Sequence, residues 1–336
     1  MNKNAQVCHP IYLPTKVAIV DDDLDYLAHL GLLLDDHLTY DIFTSPSVAL
    51  REITRRESGK NALASNCYNS LAQVEAAKGM GWAVDLRRIH GIVHDAQRFN
   101  HFTVLIVDYA MPEMDGLEVC RQLKGTHIKK ILLTGKADSS IAVEAFNQGL
   151  IDQYIRKEDV NITVLLNQVV QRLIDNYFSQ ACLVPNPALA SEAPYLFDPM
   201  FVDWFAQLRN QNSIVEYYLW GWNLIGGYVM AREDGELLIL LVQTPEHAMA
   251  HYEIACDDRV PMALVSRIGK REVIPVIGSD RSQWQDRVFP AIAVGNYRCV
   301  VVTAAELPDF DTPPQVGFSY RQHLQAHYAA TTRTVD

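Results

Sequence analysis

Four carboxylates, a threonine and a lysine stand at the ends of short apolar runs in this chain. Asp108 closes "LIVD" (105–108), and a Met-Pro turn and an Asp-Gly pair follow it in "YAMPEMDG". Asp21, Asp22 and Asp23 stop the run "KVAIV", Thr134 ends "KKILLT", and Lys157 ends "QYIRK". Brought together, such groups suit one reaction well. An acyl phosphate on a carboxylate requires a nucleophilic carboxylate, a divalent cation, acidic ligands for it, and a cation or hydroxyl to receive the phosphoryl oxygens. Asp108 fits the nucleophile. Asp21 and Asp22 fit ligands for Mg²⁺, with Asp108 and the backbone carbonyl of Ala110 completing the coordination. Three carboxylates in one pocket repel each other, and a hard cation relieves that repulsion while drawing in phosphate. Lys157 offers a point charge and Thr134 a small hydroxyl, while Gly135 keeps the approach open.

The elements that must position these residues can be read from hydrophobic spacing. "KVAIV", "YDIFTS", "TVLIVD", "KKILLTG" and "QYIRK" read as five strands, and "YLAHLGLLL", "GLEVCRQLK" and "SSIAVEAFNQGL" as helices between them. Continuous apolar strands alternating with helices indicate a parallel sheet covered on both faces. Ligands of such sheets sit at the carboxyl ends of the strands, where Asp21, Asp108, Thr134 and Lys157 all fall. From the second strand to the third the chain spends far more residues than one crossover helix needs. The surplus, about 57–100, reads as an insertion, with Ile89, Ile92, Val93 and Ala96 on one side of a helix. "NITVLLNQVVQRLIDNYFSQ" carries a wide apolar stripe that closes the first domain.

These motifs, "IVDDD", "LIVDYAMPEMDG", "ILLTG" and "YIRK" in this order, resemble the receiver domain of bacterial response regulators over about residues 16–180. The resemblance implies a flavodoxin-like fold of five βα units and Mg²⁺-dependent self-phosphorylation of Asp108 from a sensor histidine kinase or phosphotransfer protein. It also implies a switch at Thr134 and Tyr154; dimerisation promoted by phosphorylation is the expected route of output. The whole layout resembles quorum-sensing members of the family, which implies kinases that detect a small α-hydroxyketone. Three features depart from the pattern. Glu158, where the family usually has proline, follows Lys157; the insertion is unusual; and Ala110 is small where many receivers carry a polar side chain. An alanine there cannot orient an attacking water, so a long-lived phosphorylated form is expected.

The expected division is an N-terminal extension (1–15), a receiver (16–182), a linker (183–194), an output domain (195–328) and a tail (329–336). The output domain reads as α+β with a mainly antiparallel sheet. "YYLWGWNLIGGYVMA" and "LLILLVQ" are its strand candidates, and Thr244 is a helix cap ahead of Pro245. The favoured output is partner binding, without an enzymatic activity beyond the receiver's own. Nucleic-acid binding through the C-terminal domain is the alternative. Its aromatic group Tyr217, Tyr218, Trp220 and Trp222 could stack bases, but a net charge of −11, shared by both halves, does not favour phosphate binding. An output enzyme or a dehalogenase-type phosphatase comes third, with Asp21 as nucleophile and Asp23 as acid/base. That phosphatase would leave "DYAMPEMDG" without a role.

The spaced histidine pairs His90/His94, His247/His251 and His323/His327 lack an obvious third ligand and read as surface or core histidines. Six scattered cysteines with no CxxC spacing suggest reduced thiols. No apolar run is long enough for a signal peptide or a bilayer span, so the expected location is the cytoplasm, with no membrane partner.

Overall fold

The computed structural model describes residues 7–57, 63, 86–135, 139–182, 191–222, 224–277, 287–307 and 319–331. They divide into two compact units, one built on a parallel sheet and one on an antiparallel sheet. The first described element, a two-residue strand β1 (Ile11–Tyr12), belongs to the second of these and pairs antiparallel with residues 217 and 218.

The parallel-sheet unit starts at β2 (Lys16–Val20) and α1 (Leu24–Leu33), followed by β3 (Thr39–Phe43) and α2 (Pro46–Glu57). The next described helix, α3 (Leu86–Val93), belongs to the other unit. The chain then returns for β4 (Phe102–Asp108), α4 (Gly116–Gln122), β5 (Lys129–Thr134), α5 (Ser139–Asn147), β6 (Gln153–Arg156) and α6 (Ile162–Cys182). The five strands run parallel in the order β3-β2-β4-β5-β6. This is the expected doubly wound receiver order.

Strand alternation explains the two-sided core. Ala18, Val20, Leu105, Val107 and Leu132 pack with Ile53 of α2, Leu117 of α4 and Ala142 of α5. Val17, Ile19, Val104 and Ile106 are equally buried and point to the opposite face. Each such aliphatic side chain contributes about 1.5–3 kcal/mol when fully buried. The sheet order reverses at β2, whose neighbours β3 and β4 leave in opposite directions. A crevice opens beyond the strand ends at such a point, and Asp21 and Asp108 stand there.

The antiparallel-sheet unit continues with α7 (Pro199–Gln211), β7 (Ile214–Trp222), β8 (Ile225–Arg232), β9 (Leu237–Gln243), α8 (Pro245–Asp257) and α9 (Met262–Gly269). β10 (Val273–Pro275) and β11 (Val288–Pro290) form a two-stranded ribbon. β12 (Ile292–Val294) and β13 (Tyr297–Thr303) complete a six-stranded sheet in the order β1-β7-β8-β9-β13-β12. Thr244 caps α8 as expected, accepting from the His247 amide, with Pro245 at the first helical position.

Several boundaries differ from the sequence division. "YYLWGWNLIGGYVMA" is a hairpin of β7 and β8, with Gly221 opposite Gly226, rather than one strand. Gly227 in β8 has φ +147°, and a Cβ there would lie 1.8 Å from the Leu240 carbonyl oxygen, so only glycine fits. Residues 7–13 join the antiparallel sheet as β1 and its flank instead of forming a bare extension. In the insertion, Ile89, Ile92 and Val93 are buried, but Ala96 lies beyond α3 and is exposed. Most of the rest of the insertion (58–62 and 64–85) and of the linker (183–190) lies outside the described residues. The end of the chain differs most. α10 (Tyr320–Thr331) runs through the output boundary and into the expected tail, and its residues from 322 onward belong to the parallel-sheet unit. There Tyr328 Oη donates to the Asp36 carbonyl at 2.7 Å, His327 meets the Tyr40 ring edge-on, and His323 packs against Phe99.

The aromatic group of β7 is sheet core. Tyr217, Tyr218 and Trp220 are buried, and Tyr217 packs against Phe205 and Tyr228. They offer no face for stacking bases; Trp222's side chain lies outside the described residues. Of the paired histidines, His251 and His323 are buried, His247 and His327 are half-buried and His94 is exposed. His251 is hydrogen-bonded to Gln243 at 2.7 Å, and burial lowers the pKa of His251 and of His323 to about 4.

Candidate functional site

β2 delivers Asp21 and Asp22 to the crevice, and Asp23 starts α1 as its N-cap, accepting from the Asp25 and Tyr26 amides. A capping carboxylate is already engaged with the helix end, which leaves Asp23 poorly placed for the acid/base role a dehalogenase-type phosphatase requires. β4 delivers Asp108 from the neighbouring strand. Asp21 and Asp108 are nearly inaccessible, at 1% and 6% exposure, while Asp22 is exposed. One carboxylate oxygen from each of Asp21, Asp22 and Asp108 can be grouped within 4.8 Å. That donor set fits a hard divalent cation, which takes oxygen ligands. The Asp108 carboxylate also accepts from the Ala110 amide at 3.1 Å, which fixes the loop that carries the Ala110 carbonyl.

Lys157 reaches this cluster from the end of β6. Its Nζ lies 2.8 Å from Asp21 Oδ2 and 2.8 Å from Asp108 Oδ1. The Lys157 amide donates to the Thr134 carbonyl, which ties the loop to β5. Burial raises the pKa of Asp21 above the ordinary aspartate value; the Lys157 hydrogen bond offsets this only in part. Burial also opposes the charge on Lys157, but its bonds to Asp108 and Asp21 together outweigh it, and its pKa lies above the ordinary lysine value. The same pair thus favours the lysine's charge more than the aspartate's. The cause is hydration: the Asp21 side chain is 1% exposed and that of Lys157 is 25% exposed. One ammonium faces two buried carboxylates and a third exposed one, so the pocket keeps an excess of negative charge.

Thr134 is fully buried, and its hydroxyl donates to the Gly135 carbonyl at 3.1 Å. Tyr154 is half-buried against the core beside α5, and it pairs with Leu132 across β5 and β6. Leu132 and Thr134 share a sheet face by alternation, so Tyr154 stands on the same side as Thr134. All the sequence-predicted residues therefore lie at the ends of β2, β4, β5 and β6, or on the adjoining face. Sequence reasoning missed Tyr26. It sits in the first turn of α1, and the Lys157 ammonium lies 4.3 Å from its ring centroid. The signal available was an aromatic residue one helical turn beyond the acidic run.

A model of the response regulator receiver domain matches residues 69–169. The solved response regulator LqsR of Legionella pneumophila is similar over nearly the whole length: 30% identity, 94% of this chain and 95% of that one, with a TM-score of 0.74. The chain belongs to the response regulators. As such it is a two-component signalling protein, and its receiver implies a phosphodonor such as a histidine kinase. Among curated relatives, the DNA-binding transcriptional regulator NtrC of Escherichia coli K12 is 37% identical over 79 residues, and the response regulator protein TodT of Pseudomonas putida F1 is 44% identical over 54. The chain spans only 16% of the NtrC length and 24% of TodT. The receiver model starts after β2, so the Asp21–Asp23 run joins the site through geometry.

Proposed function

We propose that this response regulator takes a phosphoryl group onto Asp108 and uses it to reset the surface around α5 and β6. The observation that carries this is the bridging of Asp21 and Asp108 by one ammonium, Lys157 Nζ, at 2.8 Å to each. A carboxylate oxygen of Asp108 forms the bond to phosphorus as the bond from phosphorus to the donor's imidazole nitrogen breaks. Lys157 keeps its proton, loosens from Asp108 and follows the phosphoryl oxygens. Asp21, Asp22, Asp108 and the Ala110 carbonyl would hold Mg²⁺, which supplies charge neutralisation for the incoming phosphoryl oxygens. Thr134 turns from the Gly135 carbonyl toward the new anion, and Tyr154 moves into the space behind it. This is a two-state element biased by a new charge.

The output is binding rather than an enzymatic turnover. Ile141, Val143 and Phe146 of α5 are exposed apolar groups beside the switching face, and they support a homodimer promoted by phosphorylation. Resemblance across the full layout supports a quorum-sensing role. The cytoplasm, the usual location of response regulators, is the expected compartment.

The test is mass spectrometry after treatment with acetyl phosphate and Mg²⁺. The wild type should gain one phosphoryl group and the Asp108→Asn variant none. Equal labelling of the two would remove Asp108 from the role. Light scattering with and without beryllofluoride tests the dimer, and an unchanged monomer would overturn it.

A further inference from the structure

The lysine at the centre of the site has a neighbour that the acyl-phosphate chemistry does not require. Tyr26 presents its ring to the Lys157 ammonium at 4.3 Å from the centroid, within the range of a cation–π contact. Two carboxylates already compete for that ammonium from one side. The ring approaches it from α1, the element that begins at the Asp23 cap. The amide of Tyr26 itself donates to Asp23 at 3.1 Å, so the ring's place is fixed by the same acidic run that supplies the metal ligands. The phenol oxygen is buried and finds no hydrogen-bond partner among the described residues. Burying an unpaired hydroxyl has a cost, and the ring stays there in spite of it. The contact with the Lys157 ammonium offsets part of that cost.

We propose that Tyr26 is a positioning residue for phosphoryl transfer: its ring face holds Lys157 Nζ at the mouth of the pocket between Asp21 and Asp108. A free lysine side chain samples many rotamers, and its ammonium would spend much of its time in water. The ring restricts the ammonium to the place where phosphoryl oxygens arrive and shields its outer side from solvent. The ring's face does this work, so the hydroxyl is dispensable.

The inference rests on Asp108 being the acceptor, and the experiment separates the two. Labelling by acetyl phosphate with Mg²⁺ is followed over time in the wild type, Tyr26→Phe, Tyr26→Leu and Asp108→Asn, recording the rate constant and the final labelled fraction separately. Tyr26→Phe should keep the wild-type rate constant within about twofold. Tyr26→Leu should lower it roughly threefold to tenfold, the range a partly desolvated cation–π contact supplies, with the labelled fraction unchanged. A Tyr26→Leu rate equal to wild type overturns the proposal. So does Tyr26→Phe slowed as much as Tyr26→Leu. A folding defect alone would reduce the labelled fraction and leave the rate constant of the remaining molecules unaltered; that result also overturns it. A wild type labelled no better than Asp108→Asn would instead overturn the assignment of Asp108.

Discussion

Gly116 and Asp108 touch through their backbones: a Cβ at position 116 would fall 2.2 Å from the Asp108 carbonyl oxygen. The Gly116 amide also donates to the Tyr109 carbonyl at 3.0 Å, and Asp115 caps α4 just ahead of it. The Asp-Gly pair of the sequence therefore clamps the start of α4 against the strand end that carries the phosphoacceptor candidate. Gly116→Ala must push these two segments apart, at a cost of about 1–3 kcal/mol. The expected result is a melting temperature several degrees lower, together with slower labelling of Asp108. A variant that melts with the wild type would show that the clamp yields freely.

Removing one carboxylate should stabilise the protein. The folded-state pKa of Asp21 is raised by burial. Between the ordinary aspartate value and that raised value the folded chain binds more protons than the unfolded one. Stability from this group therefore falls as pH rises through that window and is least favourable above it. Asp21→Asn should melt higher than wild type at neutral pH without Mg²⁺, and should lose less stability as pH is raised from the acidic side. Added Mg²⁺ should raise the wild-type melting temperature by linkage and leave Asp21→Asn unmoved. A lower neutral-pH melting temperature for the variant would contradict the burial account.

Ala110 is exposed beside the Asp108 carboxylate, to which its amide donates. A methyl group cannot orient a water toward an acyl phosphate. Ala110→Asn supplies a side-chain amide that can, and should shorten the phosphorylated lifetime on the order of tenfold. Decay of the label after removal of the donor measures this. Identical decay in both proteins would mean that water is positioned by another group.

Ending the chain after Arg321 removes the part of α10 that covers Tyr40 and Phe99 and the bond from Tyr328 to Asp36. The parallel-sheet unit should lose about 2–4 kcal/mol. Its urea midpoint should drop even though every strand and the whole acidic pocket remain. An unchanged midpoint would reduce α10 to a passenger.

The receiver was legible because its signals are local. Each buried parallel strand is a continuous apolar run, and the candidate site residues stop those runs, so reading where hydrophobicity ends locates Asp21, Asp108, Thr134 and Lys157. It does not locate Tyr26, because an aromatic residue inside an amphipathic helix has the same sequence signature whether it faces core or a lysine. The hairpin of β7 and β8 was hidden for a related reason. Both strands are apolar and the reversal between them lacks a strong turn pair, so "YYLWGWNLIGGYVMA" reads as one run. The destination of α10 was hidden more deeply. "YRQHLQAHYAAT" is weakly amphipathic, and its contacts join residues about three hundred positions apart, such as Tyr328 and Asp36. Nothing in local spacing encodes a pairing over that separation.

The interleaving of the two units has a consequence for synthesis on the ribosome. The parallel-sheet unit draws on β2 to α2, on the stretch from residue 95 to α6, and on α10 from residue 322. Its last strand emerges well over a hundred residues before its last helix does. The strands that carry the acidic pocket therefore leave the ribosome well before α10, and the Tyr40 and Phe99 side of the unit stays uncovered in the nascent chain until that helix follows.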